Sequence, residues 1–419
     1  MKADLRPVPD STPAVGLLRP SDRASIRRDN LGVVLRLLRD AGPRSRVRIA
    51  ADTGLPKPTI TGLVGELVAL GLASEGTVER DGSIGRPGLS VHLDGRDVCG
   101  VGAEISADYV GVLAMTLRGE TVFERRVPVA VAAAEVGSVL DLLAGLITGC
   151  LADIAGRGVR PAGITLAVPG VVDVAAGRVD YAANLGWRDV DVLAAVGRRL
   201  GPDVPELRLE NDAKLAAVAE YLAIDDADVH DLLYVTGETG IGGGIISGGQ
   251  LLRGAAGFAG EIGHMPLDPE RRPCACGRLG CWETMVGLSA LLRLAADPGD
   301  PVHDPTVDVE QRLAVLMARA LAGDERTLAA FDRVAADLGL GIGLLADVLN
   351  PRAVILGGYF THVGELMLDR IRSVVRERVM APDAGGCRVE VSRLGFSAPA
   401  LGGAHSALER VYQDPAARP

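Results

Sequence analysis

No run of about 18 uncharged apolar residues, the length a bilayer span needs, occurs in the chain. The absence matters because 48% of the residues are hydrophobic and the mean hydropathy is +0.24. The most apolar region, 127–155, is interrupted by Glu135, Asp141 and Asp153. A basic start followed by an apolar core is missing too. Asp4, Asp10 and several prolines stand there instead, so neither a signal nor a transit peptide is expected, and a cytoplasmic location without membrane attachment follows. Cysteine is scarce, with six in 419 residues. Three of the six cluster with a histidine, which suits metal binding in a reducing compartment better than a disulfide framework.

The chain is too long for one ordinary core, so two or three domains are expected. Its charge is unevenly spread. Residues 1–96 hold 15 Lys+Arg and 11 Asp+Glu, a balance of +4 within a total of −10, and 19–57 alone hold 10 basic against 4 acidic residues. An acidic body with a basic N-terminal module is what a nucleic-acid-binding head on a soluble sensor would show. A solvated basic face of no consequence is the other reading of the same numbers.

Residues 1–20, rich in proline and small polar residues, read as a flexible tail. From about residue 21 an apolar stripe of Ile26, Leu31, Val34, Leu35, Leu37 and Leu38 predicts a helix that Gly42-Pro43 stops. A second helix is expected over 46–52, closed by Thr53-Gly54. A third starts near Lys57 or Pro58 and buries Ile60, Leu63, Val64, Leu67, Val68 and Leu70. Three helices with a short glycine-bearing turn between the last two are the layout of a helix-turn-helix, whose last helix enters the major groove N-terminus first. Lys57, Thr59 and Thr61 fall on its first turns, where side chains reach phosphates or base edges. Residues 78–93 flank D-G-S-I-G-R-P-G and read as a hairpin wing with Arg86 at its tip and Arg80 at its base. A winged helix-turn-helix over 21–95, with Arg46, Lys57, Thr59, Thr61, Arg80 and Arg86 facing double-stranded DNA, is therefore expected. A packing module that meets protein is the alternative.

The most informative stretch is 260–283, GEIGHMPLDPERRPCACGRLGCWE. Cys274, Cys276 and Cys281 with His264 make a tetrahedral Zn²⁺ set of the closed, structural kind. Pro273, Gly277 and Gly280 bend the backbone where ligands must converge. Glu261 and Glu283 would then be held rigidly beside the metal. Buried thiols acting as small hydrophobes, with His264 satisfied in a core, are the competing account.

G-E-x-G-H followed by C-x-C-G-x-x-G-C-x-E closely resembles the signature of the ROK family of sugar kinases and sugar-responsive repressors. The Arg46 segment, the G-L-P turn, L-x-x-x-G-L and the G-R-P wing look like the head of its repressors, with a departure at Gly62, where those often carry Arg. The resemblance implies structural zinc on His264, Cys274, Cys276 and Cys281. It also implies sugar contacts from Glu261, His264 and Glu283. The fold it implies is α/β, a two-lobed actin-like ATPase (ribonuclease H-like) body: a first lobe over 97–212, joined by a C-terminal helix at 397–413, and a second over 213–396 with the zinc site.

The body alternates strand-like and helical segments, as α/β proteins do. Strands are expected over 99–105, 110–117, 121–129, 163–168, 206–210, 232–236, 243–246, 353–356 and 388–391. Helices are expected over 136–155, 189–200, 213–221, 287–295, 309–322, 327–349, 366–379 and 400–412. Asn184 follows a short loop, and Asn211-Asp212 ends a strand over a helix start. Asp212 reads from the residues alone as a helix cap, and beside the family pattern as the position of the kinases' general base. Polyols call for fixed carboxylates and amides, so the sugar set is Asn184, Asn211, Asp212, Glu261, His264 and Glu283.

ROK kinases carry D-x-G-G-T after the first strand of the body. This chain has Glu104-Ile105-Ser106-Ala107-Asp108 there, without either glycine. A second phosphate loop keeps Thr239, Gly240, Gly242, Gly243 and Gly244 but has Glu238 at its start. Two like unit charges about 4 Å apart repel by several kcal/mol at an effective dielectric near 20, so nucleotide affinity is expected to be lost. The expectation is a sugar-responsive repressor, a homodimer or homotetramer on DNA. The alternative is an ATP-dependent sugar kinase with an appended head. Gly357-Gly358 and Gly402-Gly403 read as close-packing glycines.

Overall fold

The computed structural model describes residues 23–76, 89–226, 228–380 and 387–417. The tail expected over 1–20 lies outside them, as do Arg80, Arg86 and the loop between the hairpin arms.

The head opens with α1 (Arg23–Ala41), α2 (Arg46–Thr53) and α3 (Lys57–Ala69). Ser45 caps α2 by accepting from the Arg48 amide, and Gly54 ends it in the left-handed region at φ 71°. Ile60, Leu63, Val64 and Leu67 bury one face of α3 against Leu31, Val34, Leu35 and Leu38 of α1. Two expected core residues lie elsewhere: Val68 is 39% exposed and Ile26 is 47% exposed. Both fall just off the stripe that faces the core. The hairpin arms are Ala73–Gly76 and Ser90–Leu93, antiparallel. The first arm starts five residues earlier than its β-prone residues suggest, because buried Leu72 and Ala73 anchor it to the head core. A two-residue strand, Arg44–Ser45, completes this small sheet.

Two five-stranded sheets of like topology make the body. In the first, Val98–Ile105 runs antiparallel to Tyr109–Thr116, which pairs with Thr121–Pro128. On its other side it runs parallel to Arg160–Val168, which pairs with Leu207–Asn211. In the second, Leu232–Gly237 pairs antiparallel with Ile241–Ser247 and then Gln250–Leu251, and parallel on its other side with Ala353–Gly358 and then Arg388–Val391. Each sheet thus has its first strand at the centre and a tight turn after it. These two turns, at 106–108 and 238–240, meet face to face.

Helix Val136–Gly156 is long and apolar enough to cross a membrane by length and composition. Its stripe of Val139, Leu143, Ile147, Cys150 and Ile154 is instead part of the core of the first sheet, with Val101, Ala103, Val110 and Val112.

A three-stranded sheet (Val171–Asp173, Arg178–Ala182, Trp187–Val190) lies between the expected elements. It displaces the start of the helix expected at 189 to Val192. Asp189 instead stands in a strand at φ 49°.

The C-terminal helix Ala398–Gln413 is the mechanical centre of the molecule. It lies on the first sheet so closely that a Cβ on Gly100 or Gly102 would come within 2.0 and 1.8 Å of the carbonyl oxygens of Ala404 and Ala400. Gly402 presses as closely on Leu215 of helix Asp212–Ala223. Its last turns join the head's own core, where Leu408, Val411 and Tyr412 pack with Leu31, Val34 and Leu35 of α1. Arg36 pairs with Glu409 at 2.7 Å, Arg28 pairs with Asp414 at 3.1 Å, and the Arg39 guanidinium stacks 4.6 Å from the Tyr412 ring.

Candidate functional site

Strand Leu207–Asn211 delivers Asn211 to the mouth of the cleft between the sheets, and helix Asp212–Ala223 begins there. Asn211, rather than Asp212, is the cap: its Oδ1 accepts from the Lys214 amide at 3.0 Å and its Nδ2 donates to the Gly170 carbonyl at 3.1 Å. Both polar atoms are thus engaged, and Asn211 shapes the wall. The Asp212 carboxylate keeps one oxygen on the Ala213 amide at 2.7 Å. Burial, with Glu261 adding to it, pushes its carboxyl up to about 6.

The turn carrying Ile262–His264 supplies Glu261 and His264, and the short helix Glu283–Val286 supplies Glu283. These three, with Asn184, Asn211 and Asp212, line one cleft. All six residues of the expected sugar set converge there. A Cβ on Gly240 would fall 2.2 Å from Glu283 Oε2 and 2.5 Å from Asn184 Nδ2, so only glycine lets those two groups close over the floor.

One ligand atom each from His264, Cys274, Cys276 and Cys281 lies within 4.8 Å of every other. Cys276 Sγ is 3.6 Å from Cys281 Sγ, and Cys274 Sγ is 3.7 Å from His264 Nδ1. Bonds of about 2.3 Å to sulfur in a tetrahedral site give edges of about this length, so the four residues fit a metal ion. Gly277 and Gly280, at φ 86° and 83°, make the bends that bring the thiols round. The amide of Cys276 donates to Cys274 Sγ at 3.4 Å, and Arg278 Nε donates to Cys276 Sγ at 3.4 Å. Burial raises the Cys276 thiol, but the Arg278 guanidinium and amide together outweigh that and hold it below its ordinary value. In the thiol state Cys274 donates to Glu283 Oε1 at 2.7 Å. With Nδ1 of His264 turned to the thiols, Nε2 faces Glu261 Oε2 across 4.0 Å, beyond hydrogen-bond reach.

The turns at 106–108 and 238–240 are bridged by the protein's own side chains. Ser106 Oγ donates to Glu238 Oε2 at 2.6 Å, and Thr239 Oγ1 donates to Asp108 Oδ2 at 3.3 Å. Asp108 also accepts from Arg312 Nη2 at 2.7 Å, and Arg126 joins Glu310 at 2.5 Å. This revises the simple repulsion expected of two misplaced carboxylates, Asp108 and Glu238. Glu104 is buried away from the cleft, with the Tyr109 hydroxyl donating to it at 2.7 Å. Asp108 is neutralised by Arg312, so Glu238 is the one of the three that lines the cleft. Sequence reasoning missed Arg312 and Ser106. The partners of Asp108 and Glu238 stand 204 and 132 residues away and leave no local signal. Arg278 was within reach, since it lies inside the C-x-C-G-R-x-G-C loop.

Burial, then the neighbouring Asp212, pushes the Glu238 carboxyl up to about 8. A raised carboxyl favours the folded state below its unfolded value of 4.5 and loses that contribution as pH rises through 8. Asp212, and Glu220 raised by burial to about 7, act with the same sign. Glu238→Gln is therefore expected to match the wild type in thermal stability near pH 4.5. By pH 9 it gains on the order of 2 kcal/mol. Parallel melting curves across that range would refute the assignment.

On the head, Lys57 and Thr61 are exposed on α3, and Thr59 is half-buried. Arg46 is tied to Glu75 at 2.7 Å and reaches the Thr61 carbonyl at 3.5 Å, so it clamps α2 to the hairpin and α3.

The ROK family model matches residues 101–410, and an IclR helix-turn-helix domain matches 29–76. The xylose repressor of Caldicellulosiruptor bescii is 29% identical over 391 residues, 90% of this chain and 94% of that one. A ROK family transcriptional regulator, a homolog of the E. coli MLC protein, superposes with a TM-score of 0.72 at 24% identity, over 93% of this chain and 97% of its own. A ROK family glucokinase from Streptomyces griseus, in complex with glucose and AMPPNP, gives a TM-score of 0.62 at 28% identity. It covers 74% of this chain and 99% of its own.

Proposed function

The chain belongs to the ROK family, and from that premise we propose that it is a sugar-responsive, DNA-binding transcriptional repressor acting in the cytoplasm. The observation that carries this reading is a polar cleft whose phosphate half is filled by Ser106–Glu238 and Asp108–Arg312, joined to a head of helix-turn-helix form. Asn184, Asp212, Glu261, His264 and Glu283 hold the sugar hydroxyls, and Asn211 fixes the wall. His264, Cys274, Cys276 and Cys281 hold a structural zinc ion. Its role when bound is rigidity: it ties the turn bearing Glu261 to the helix bearing Glu283. Lys57, Thr59 and Thr61 face the operator, with Arg46 bracing them.

The two sites communicate through packing. Sugar closing the lobes moves helix Asp212–Ala223, which touches the C-terminal helix at Gly402, and that helix shares a core with α1. In a homodimer or homotetramer this shift alters the spacing of paired heads and so the affinity for paired half-sites.

A sugar kinase needs a cradle of backbone amides and positive charge for nucleotide phosphates. Glu238 and the Asp108–Arg312 pair stand in that place. The test is a gel shift on DNA upstream of the protein's own coding region, across a panel of sugars, beside a coupled ATP assay. At least a tenfold change in DNA affinity with one sugar, and no ATP turnover, are expected. Steady turnover of ATP with any hexose would overturn the reading.

A further inference from the structure

Among the described residues that line the cleft there is no lysine and no arginine. The titratable groups among them are Asp212, Glu238, Glu261 and Glu283, with His264 the only basic side chain. The cations nearby are committed elsewhere. Lys214 donates its Nζ to the Gly257 carbonyl, Arg253 pairs with Glu210 at 2.9 Å, and Arg312 pairs with Asp108 at 2.7 Å. Arg278 donates its Nε to Cys276 Sγ at 3.4 Å.

Backbone amides are the other way to hold an anion, and at the helix start beside the cleft they are already used. The N-terminus of helix Asp212–Ala223 points at the cleft, where a phosphate could dock on its free amides. Its Ala213 and Lys214 amides instead donate to Asp212 and Asn211, so the chain's own carboxylate takes that place. In the glycine-rich turn the Ile241 amide faces Glu283 Oε2 at 3.4 Å, and the Glu238 amide is bonded to the Gly240 carbonyl at 2.9 Å.

We propose that the effector is an uncharged sugar, and that the cleft rejects sugar phosphates and sugar acids. The proposal rests on the sugar-sensing reading above and adds the chemical class of the ligand. A hydroxyl donates to a carboxylate, so a neutral polyol satisfies each acidic group it meets. A phosphate dianion or a carboxylate offers acceptors only and sets acceptor against acceptor where it meets the Asp212 and Glu283 carboxylates.

The test is calorimetric binding to the full-length, metal-loaded protein with matched pairs: glucose and glucose 6-phosphate, N-acetylglucosamine and its 6-phosphate, xylose and xylose 5-phosphate, with glucuronate as the acid. Neutral 6-O-acetylglucose controls for bulk. The best ligand is expected to be neutral, with its phosphate at least 100-fold weaker, and the acetyl control is expected to cost less than the phosphate. A phosphate or acid that binds as well as its neutral partner overturns the proposal and leaves the sensing reading intact. Equal loss from acetyl and phosphate also overturns it, since bulk and not charge would then be rejected. If no sugar of either class binds while DNA binding persists, the sensing reading itself fails.

Discussion

Cys281→Ser is expected to abolish the proposed zinc binding and with it the sugar response, while the head still folds and binds DNA. Cys281 is buried beside Cys276, on the segment that leads directly into Glu283. A site with one ligand short and a hydroxyl in place of a thiolate binds zinc far more weakly. Without the ion, the segment 264–281 keeps the Pro273–Leu279 bridge and the buried Asp268 carboxylate, which accepts from Glu270, Arg272 and Thr284, but loses the tie among the four ligand side chains. Loss of a structural metal is among the few single changes that cost more than about 4 kcal/mol. The head's core is built from α1, α2, α3, the hairpin, the C-terminal helix and first-sheet residues such as Val98, Leu113 and Met115, and holds no residue of the cluster. Metal analysis should find about one zinc per wild-type chain and less than a tenth of that in the variant, with sugar binding abolished. A variant that retains full sugar binding would remove the metal from the account.

Gly32→Ala should separate the two functions without harming either. Gly32 lies on α1 where it crosses the end of the C-terminal helix, and an added Cβ would stand 2.3 Å from the Tyr412 carbonyl oxygen. That oxygen belongs to the backbone and cannot swing aside. Alanine is otherwise the better helix former by about 1 kcal/mol, so α1 itself is not weakened. The clash therefore falls on the contact between head and body, where overpacking costs about 1–3 kcal/mol. Coupling between sites is of the same size, about 1–3 kcal/mol, so the variant can erase it. Sugar affinity is expected to stay within twofold of wild type, while the sugar-induced change in DNA affinity falls from at least tenfold to under threefold. An undiminished response would mean that the signal travels by another route.

The motifs with chemistry in them were legible because each is local. C-x-C-G-x-x-G-C-x-E carries its own bends, and periodicity located α1, α2, α3 and most strands to within a few residues. What could not be read depends on contacts between distant parts of the chain. Asn211 and Asp212 are adjacent and both able to cap, and only the path of strand Leu207–Asn211 decides that Asn211 does so. The strands of the small sheet at 171–190 are three to five residues long, too short for an alternating pattern to register. Helix Phe360–Arg378 begins six residues before its expected start, because Gly358 alone, at φ 61°, makes the turn after the strand. Gly357-Gly358 and Gly402-Gly403 do pack closely, the first pair against Tyr234 and Gly237 and the second against Leu215 and Thr165. The Asp108–Arg312 and Ser106–Glu238 contacts were invisible, yet they decide how the turns at 106–108 and 238–240 are closed.

The central claim is that the cleft and the DNA-binding head are thermodynamically linked. Linkage is reciprocal: if sugar changes DNA affinity by some factor, DNA must change sugar affinity by the same factor. The direct test is to measure the sugar dissociation constant of the metal-loaded protein with and without saturating operator fragment. The account predicts a difference of at least tenfold, equal to the effect of sugar on DNA binding. Identical constants in the two titrations would contradict it.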